Sequence, residues 1–191
     1  MFDENFLIHH GILGQKWGIR RYQDKNGRLT SAGISRYRKN SGLTYNENDS
    51  VFVSGKVKYD EPLSGPIKDE IDKIVKANSK ILIGDAPGAD TRVQDYLNEV
   101  GYRNVRVFTT DKEARNNVGK WEVQKIDASQ YEDEREARRQ KDIAMTKASN
   151  KGLAISSEDD RPDSATSLNV QRMKDQGSEM AVWDYKAKRF I

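Results

Sequence analysis

Beyond residue 50 the sequence predicts an α/β fold, built on a mainly parallel sheet of about five strands with helices on both faces. Short apolar runs alternate with stretches of helical periodicity from Val51 to the C-terminus. The apolar runs are continuous rather than alternating, as strands buried on both faces require. Glycine-punctuated or polar loops follow most of them.

The elements follow in order. Val51-Phe52-Val53 is a buried strand stopped by Ser54-Gly55. Ile67, Ile71, Ile74 and Val75 recur at i, i+4, i+7 and i+8, one face of a helix. Ile81-Leu82-Ile83 is a second strand, broken by Gly84. Val93, Leu97 and Val100 share a helical face, and Gly101 ends that helix. Val105 to Phe108 is a third strand. Arg135 to Ala148 is rich in helix formers, with Ala137, Ala144, Met145 and Ala148 expected on the inner side. Gly152 to Ser156 is a fourth strand, Leu168 to Gln176 a helix stopped by Gly177, and Met180 to Trp183 a fifth strand. The charged run Glu132 to Lys141 reads as a solvated helix face with i, i+4 ion pairs. This alternation is Rossmann-like, and such sheets bind ligands beyond the carboxyl ends of their strands, where strand order reverses.

Residues 1–50 read as a basic extension, with 51–191 as the main domain. The extension carries eight Lys/Arg against five Asp/Glu, the domain 25 of each. A neutral domain is a poor general nucleic-acid binder, which needs clustered positive charge. Between Gly11 and Gly42 lie six glycines and no sustained apolar period. Within the extension, Asp24 to Gly27 reads as a turn and Thr30 to Tyr37 as a short helix. Trp17, Ile19 and Tyr22 are docking candidates, and Tyr45 to Ser50 is a polar linker. The chain has no cysteine, and its two histidines, His9 and His10, lie in the extension. Thiolate metal sites are excluded, as is histidine catalysis within the domain. No cofactor or metal is expected. Neither an apolar run long enough to cross a bilayer nor a secretory signal is visible, so the expectation is a cytoplasmic protein without membrane contact.

The chemistry concentrates after the strands. In Gly84-Asp85-Ala86-Pro87-Gly88-Ala89-Asp90 a buried strand runs into a glycine loop and a helix. Gly84 and Gly88 permit close backbone approach, and the helix start offers N–H groups to an anion. Asp85 and Asp90 suit ribose hydroxyls, since a carboxylate can accept two hydrogen bonds from a diol; the alternative is a plain turn with Asp90 capping the helix. Ser54-Gly55-Lys56 ends the first strand, with Lys56 either meeting an anion or solvated. Arg115-Asn116-Asn117, one cation and two amides, suits phosphate and base-edge contacts; the alternative is an ordinary loop. Ser164, Thr166, Ser167 and Asn169 open the last helix, as caps or as partners of a phosphate. Lys141 and Asp142 are either a catalytic pair or an ion-paired helix surface.

The stretch Ile81 to Asp90, with Gly101-Tyr102-Arg103-Asn104-Val105, Arg115 to Trp121, Lys141 to Met145 and Ser164 to Val170, resembles small SLOG-superfamily proteins, Rossmann-like relatives of the LOG phosphoribohydrolases. The resemblance spans about 51–191. It implies binding of a nucleotide or nucleotide-derived signal, and by position points to Gly84, Asp85, Gly88, Asp90, Arg115, Asn116, Lys141, Asp142, Thr166 and Asn169. The glycine-rich Pro-Gly-Gly-x-Gly-Thr loop of the LOG enzymes is replaced here by Asp163 to Leu168, so their hydrolase activity does not carry over. The segment His9 to Gln23 resembles a short segment of proteins from phages of Gram-positive bacteria, which implies a phage or prophage origin and a delivery or virion-docking role; the alternative is a flexible basic tail that contacts nucleic acid or nothing.

Three functions are therefore expected, in order: a binding module for an ADP-ribose-like or cyclic nucleotide, sensing or sequestering a host defence signal; a hydrolase of an N-glycosidic or phosphoester bond, with Asp85, Asp90 or Asp142 as acid or base; and a virion-associated protein acting through its N-terminal segment. A homo-oligomer is also expected, with Trp121, Trp183 and Phe190 as interface candidates.

Overall fold

The computed structural model describes residues 41–191. The turn at 24–27, the helix at 30–37, the docking aromatics Trp17, Ile19 and Tyr22, the His9-His10 pair and the segment 9–23 lie outside the described residues.

The elements run β1 (Ser50–Gly55), α1 (Gly65–Lys76), β2 (Lys80–Gly84), α2 (Ala89–Glu99), β3 (Val105–Thr109), β4 (Glu122–Lys125), α3 (Glu134–Lys147), β5 (Lys151–Ser156), α4 (Ala165–Asp175), β6 (Glu179–Asp184) and β7 (Arg189–Phe190). They form one seven-stranded sheet in the order β4-β3-β2-β1-β5-β6-β7. All pairings are parallel except β6 with β7. The α/β class and the five expected strands are as read from the sequence. Two edge strands are added.

The sheet has a core on each face, because successive strand residues point to opposite sides. Val51, Val53, Ile81, Ile83, Val105, Val107, Leu153 and Ile155 face α1 and α2, where Ile67, Ile71, Ile74, Val93 and Leu97 complete the larger core. Phe52, Leu82 and Phe108 face the other way and meet Met145 of α3 and Met173 of α4. That second core has only five buried apolar residues. The rest of the α3 face is polar, and that is where the site lies.

Several expectations change. Val100 caps α2 and is exposed, so the apolar inner face of this helix is Ala89, Val93 and Leu97. On α3 the buried residues are Lys141, Met145 and Thr146; Ala137 and Ala144 are half-buried and Ala148 is exposed. Trp121, Trp183 and Phe190 are buried within the larger core. Trp183 and Phe190 stack edge-to-face across the β6–β7 pair at 5.1 Å. None of the three is available as an interface. The polar stretch read as a linker, Tyr45 to Ser50, packs on the domain, as does Ser41 before it: Ser41 and the Tyr45 hydroxyl donate to the buried Glu70 of α1, and Ser79 Oγ donates to the Asn46 carbonyl. No helix of the described residues is long and apolar enough to cross a membrane.

Strand order reverses about β1. Chain order β1, β2, β3, β4 grows outward to one side, and β5 and β6 grow outward to the other. The carboxyl ends of β1, β2 and β5, with the starts of α2 and α4, surround this switch point.

Candidate functional site

Asp85, the first residue after β2, anchors the site from beneath. Its side chain is 1 % exposed and accepts five hydrogen bonds. Oδ1 accepts from Arg115 Nη2 (2.9 Å) and Lys141 Nζ (3.0 Å). Oδ2 accepts from Thr109 Oγ1 (2.8 Å), Arg115 N (3.2 Å) and Arg115 Nε (3.3 Å). Burial alone would push this carboxyl up. The hydrogen bond from Arg115, the charge of Lys141 and the bonds from Lys141 and Thr109 outweigh it and hold Asp85 well below the usual carboxylate range. Its lone pairs are consumed within the protein, so it neither accepts from a ribose nor acts as an acid. It positions Arg115 and Lys141.

The loop carrying Arg115 is fixed by neighbouring side chains. Gln94 of α2, fully buried, donates to the carbonyls of Gly84 (2.9 Å) and Asn116 (3.3 Å) and accepts from Val118 N (3.0 Å). Asn116 donates to the Asp85 carbonyl (3.0 Å). The amide that the sequence suggested for base reading is therefore a loop tie.

Above Asp85 opens a cleft of about 330 Å3. Its floor is the end of β1 and β2, at Ser54, Gly55 and Gly84. Lys141, Asp142, Arg138 and Met145 line it from α3, Thr166 and Asn169 from α4, Asp90 from α2, and Arg115 from the loop after β3. Val57, Ala86 and Pro87 supply apolar walls. Gly84 is glycine for a geometric reason: a Cβ there would lie 2.5 Å from Asp90 Oδ2 and 3.1 Å from Lys141 Nζ. The flat floor lets a carboxylate and an ammonium from opposite faces of the sheet meet over its end.

The two remaining acids differ from Asp85. Burial pushes the Asp90 carboxyl up to about 7, against the pull of Lys141 and with help from the negative charge of Asp142. Among the described residues its one donor is Ala86 N, at 3.4 Å. Asp90 is not the N-cap of α2; that position is Gly88, and Asp90 reaches back over the first turn. Burial also raises the Asp142 carboxyl, opposed by Lys141 and by the 3.1 Å hydrogen bond from Asn169 Nδ2. The Lys141-Asp142 pair is thus no solvated helix surface. Lys141 gives one proton to Asp85 and has two more for a ligand.

No family model, curated protein or solved structure matches the chain.

The structure brings Ser54, Gly55, Gly84, Ala86, Asp90, Arg115, Lys141, Asp142, Thr166 and Asn169 to one cleft. The other sequence candidates lie elsewhere. Lys56 is turned to Asp160 and the Tyr185 hydroxyl, each at 2.7 Å. Gly88 packs beneath the carbonyls of Lys56 and Val57. Ser164 caps α4, accepting from Ser167 N (3.2 Å), and its hydroxyl meets that of Ser167 at 2.7 Å. The N-terminus of α2 is partly satisfied, because Ala89 N donates to the Lys56 carbonyl at 3.1 Å. Sequence reading missed Arg138 and Met145 as lining residues. Their spacing to Lys141, three before and four after, places all three on one helical face.

A pH dependence follows from Asp90. Its folded pKa lies above its unfolded one, so the folded state holds the proton more tightly. Stability is then highest below about pH 4 as far as this group is concerned, and falls as pH rises toward and through 7. The loss is on the order of 4 kcal/mol. Urea denaturation of Asp90→Asn across pH 5–8 should show a curve flatter than wild type and higher at pH 8. Parallel curves would remove the burial argument.

Proposed function

We propose that the protein binds a nucleotide-type small molecule in the cleft at the switch point. One observation carries the reading. Groups from β1, β2, α2, the loop after β3, α3 and α4, separated by more than a hundred residues of chain, line a single hollow. The chemistry of the lining fits a nucleotide: apolar walls at Val57 and Pro87 for a base, carboxylates and amide at Asp90, Asp142 and Asn169 for sugar hydroxyls, cations at Arg115, Arg138 and Lys141 for phosphate. The hydroxyl pairing falls to Asp90 and Asp142 because Asp85 is saturated.

The test is a thermal-shift screen followed by calorimetry, with nucleoside mono- and diphosphates, ADP-ribose and cyclic dinucleotides. A ligand at 100 times its Kd adds about 2.7 kcal/mol of stability. Ala165→Trp, at an exposed position on the cleft mouth, should weaken binding at least tenfold and leave the free protein's Tm unchanged. Binding by none of these compounds at millimolar concentration would sink the proposal.

A second reading is hydrolysis of the same ligand class. It is favoured by Asp90, whose pKa near neutrality suits a general acid, with Asp142 in the same cleft. Chromatography of the ligand after incubation separates the two: unchanged ligand supports binding, whereas products that disappear with Asp90→Asn support turnover. The phage-type segment at 9–23 and the SLOG resemblance favour a host defence signal as the ligand, held or sensed in the host cytoplasm by an oligomer of this chain; light scattering reads the oligomer. Mass spectrometry of purified particles tests the virion-associated alternative.

A further inference from the structure

A second hollow, of about 360 Å3, opens beside the cleft between the ends of β3 and β4 and the first turns of α3. Arg138 lines both cavities. Arg115 of the cleft is also joined to Asp111 of the second hollow, Nε to Oδ2, at 3.4 Å. The two cavities are therefore neighbours, with two guanidinium groups at their boundary. Each volume falls at the lower end of the range for small-molecule sites.

The linings differ. The cleft has apolar walls at Val57, Pro87 and Met145. The second hollow has hydroxyls at Thr110 and Ser129 and small side chains at Ala128 and Ala137, and its three carboxylates, Asp111, Asp127 and Glu134, outnumber its two cations, Lys125 and the shared Arg138. Carboxylates repel a phosphate and accept from sugar hydroxyls, so the second hollow suits an uncharged polyol rather than an anion or a flat base. Arg138 is held by a single exposed i, i+4 contact to Glu134 at 2.6 Å, a weak tie that an anion can displace.

Resting on the nucleotide reading of the cleft, we infer that the site is two-chambered and takes a nucleoside diphosphate sugar. The nucleoside lies in the cleft, the diphosphate spans Arg115 and Arg138, and the second sugar enters the hollow beneath Ser129 and Ala137.

Calorimetry with AMP and ADP-ribose tests this on the full chain. Wild type should bind ADP-ribose at least tenfold more tightly than AMP. Ala137→Phe and Ser129→Tyr, which fill the hollow from two sides, should each erase that margin and leave AMP affinity unchanged. Ser129 is on an exposed turn, so this variant keeps the test valid even where Ala137→Phe disturbs α3. Equal affinity of wild type for AMP and ADP-ribose, or a margin that survives both variants, overturns the second chamber and leaves the nucleotide cleft standing. Tighter binding of cyclic di-AMP than of ADP-ribose overturns the sugar assignment. Binding of neither AMP nor ADP-ribose overturns this inference, and the cleft reading falls with it only if the nucleoside diphosphates and cyclic dinucleotides also fail to bind.

Discussion

Asp85→Ala should cost about 3–5 kcal/mol of folding stability, because it leaves a buried ammonium without its counter-charge. Lys141 Nζ is 3.0 Å from Asp85 Oδ1, and its side chain is 5 % exposed. The same substitution frees Arg115 and the Thr109 hydroxyl, which together supply the remaining donors. Asp85→Asn should lose less, since one oxygen still accepts. Adding Lys141→Met to Asp85→Ala should recover part of the loss, a double-mutant coupling expected for groups in direct contact. Urea midpoints measure all three. Equal losses for Asp85→Ala with and without Lys141→Met would show that the buried lysine is not what the carboxylate serves.

The pH behaviour of this pair opposes that of Asp90. Asp85 is depressed, so its contribution is present above its unfolded pKa and is lost as pH falls below about 4. Asp90 is raised and acts in the reverse sense between about pH 4 and 7. Two carboxylates five residues apart thus differ in one respect: how many donors reach each. Among the described residues Asp85 has five, and Asp90 has the Ala86 N–H alone.

This difference explains which parts of the site were legible in the sequence. Strand ends and glycine loops were readable, because apolar runs buried on both faces must stop somewhere and the chain must turn there. Asp90, Arg115 and Thr166 accordingly line one cleft. The division of labour between Asp85 and Asp90 was not readable. It depends on Lys141 arriving from α3, 56 residues away in sequence. Lys141 itself sat at the end of a charged run, Glu132 to Lys141, whose earlier members are solvated; Arg138 and Arg139 pair locally with Glu134 and Glu136.

The missed strands have a similar cause. Glu122-Val123-Gln124-Lys125 is an edge strand exposed along most of its length, so it carries no apolar run and only one β-branched residue. β7 is two residues long, and only its antiparallel pairing with Trp183 and Asp184 defines it. Trp183 was a candidate for an oligomer interface. Its parallel partner Ile155 and its contact with Phe190 place it in the core instead.

Gly88→Ala should be nearly as damaging as the loss of Asp85, and for a reason confined to the backbone. Gly88 has φ of 82° and ψ of −124°, a region in which a Cβ is strained by about 1–3 kcal/mol. A Cβ at this position would also stand 2.2 Å from the Val57 carbonyl oxygen and 2.5 Å from that of Lys56. Those carbonyls belong to the loop after β1, and Lys56 O accepts from Ala89 N at the start of α2. Relief of the overlap therefore separates the two loops that form one wall of the cleft, at about 1–3 kcal/mol more. The expected total is about 2–6 kcal/mol in urea denaturation, and affinity for the proposed nucleotide ligand should fall because Val57 and Pro87 move apart. Gly101→Ala is the control. Gly101 also has positive φ, 72°, but a Cβ there meets nothing within 4 Å, so its loss should be near 1 kcal/mol with binding unchanged. Similar losses for both variants would mean that backbone strain alone matters and that the contact between the two loops does not hold the cleft in shape.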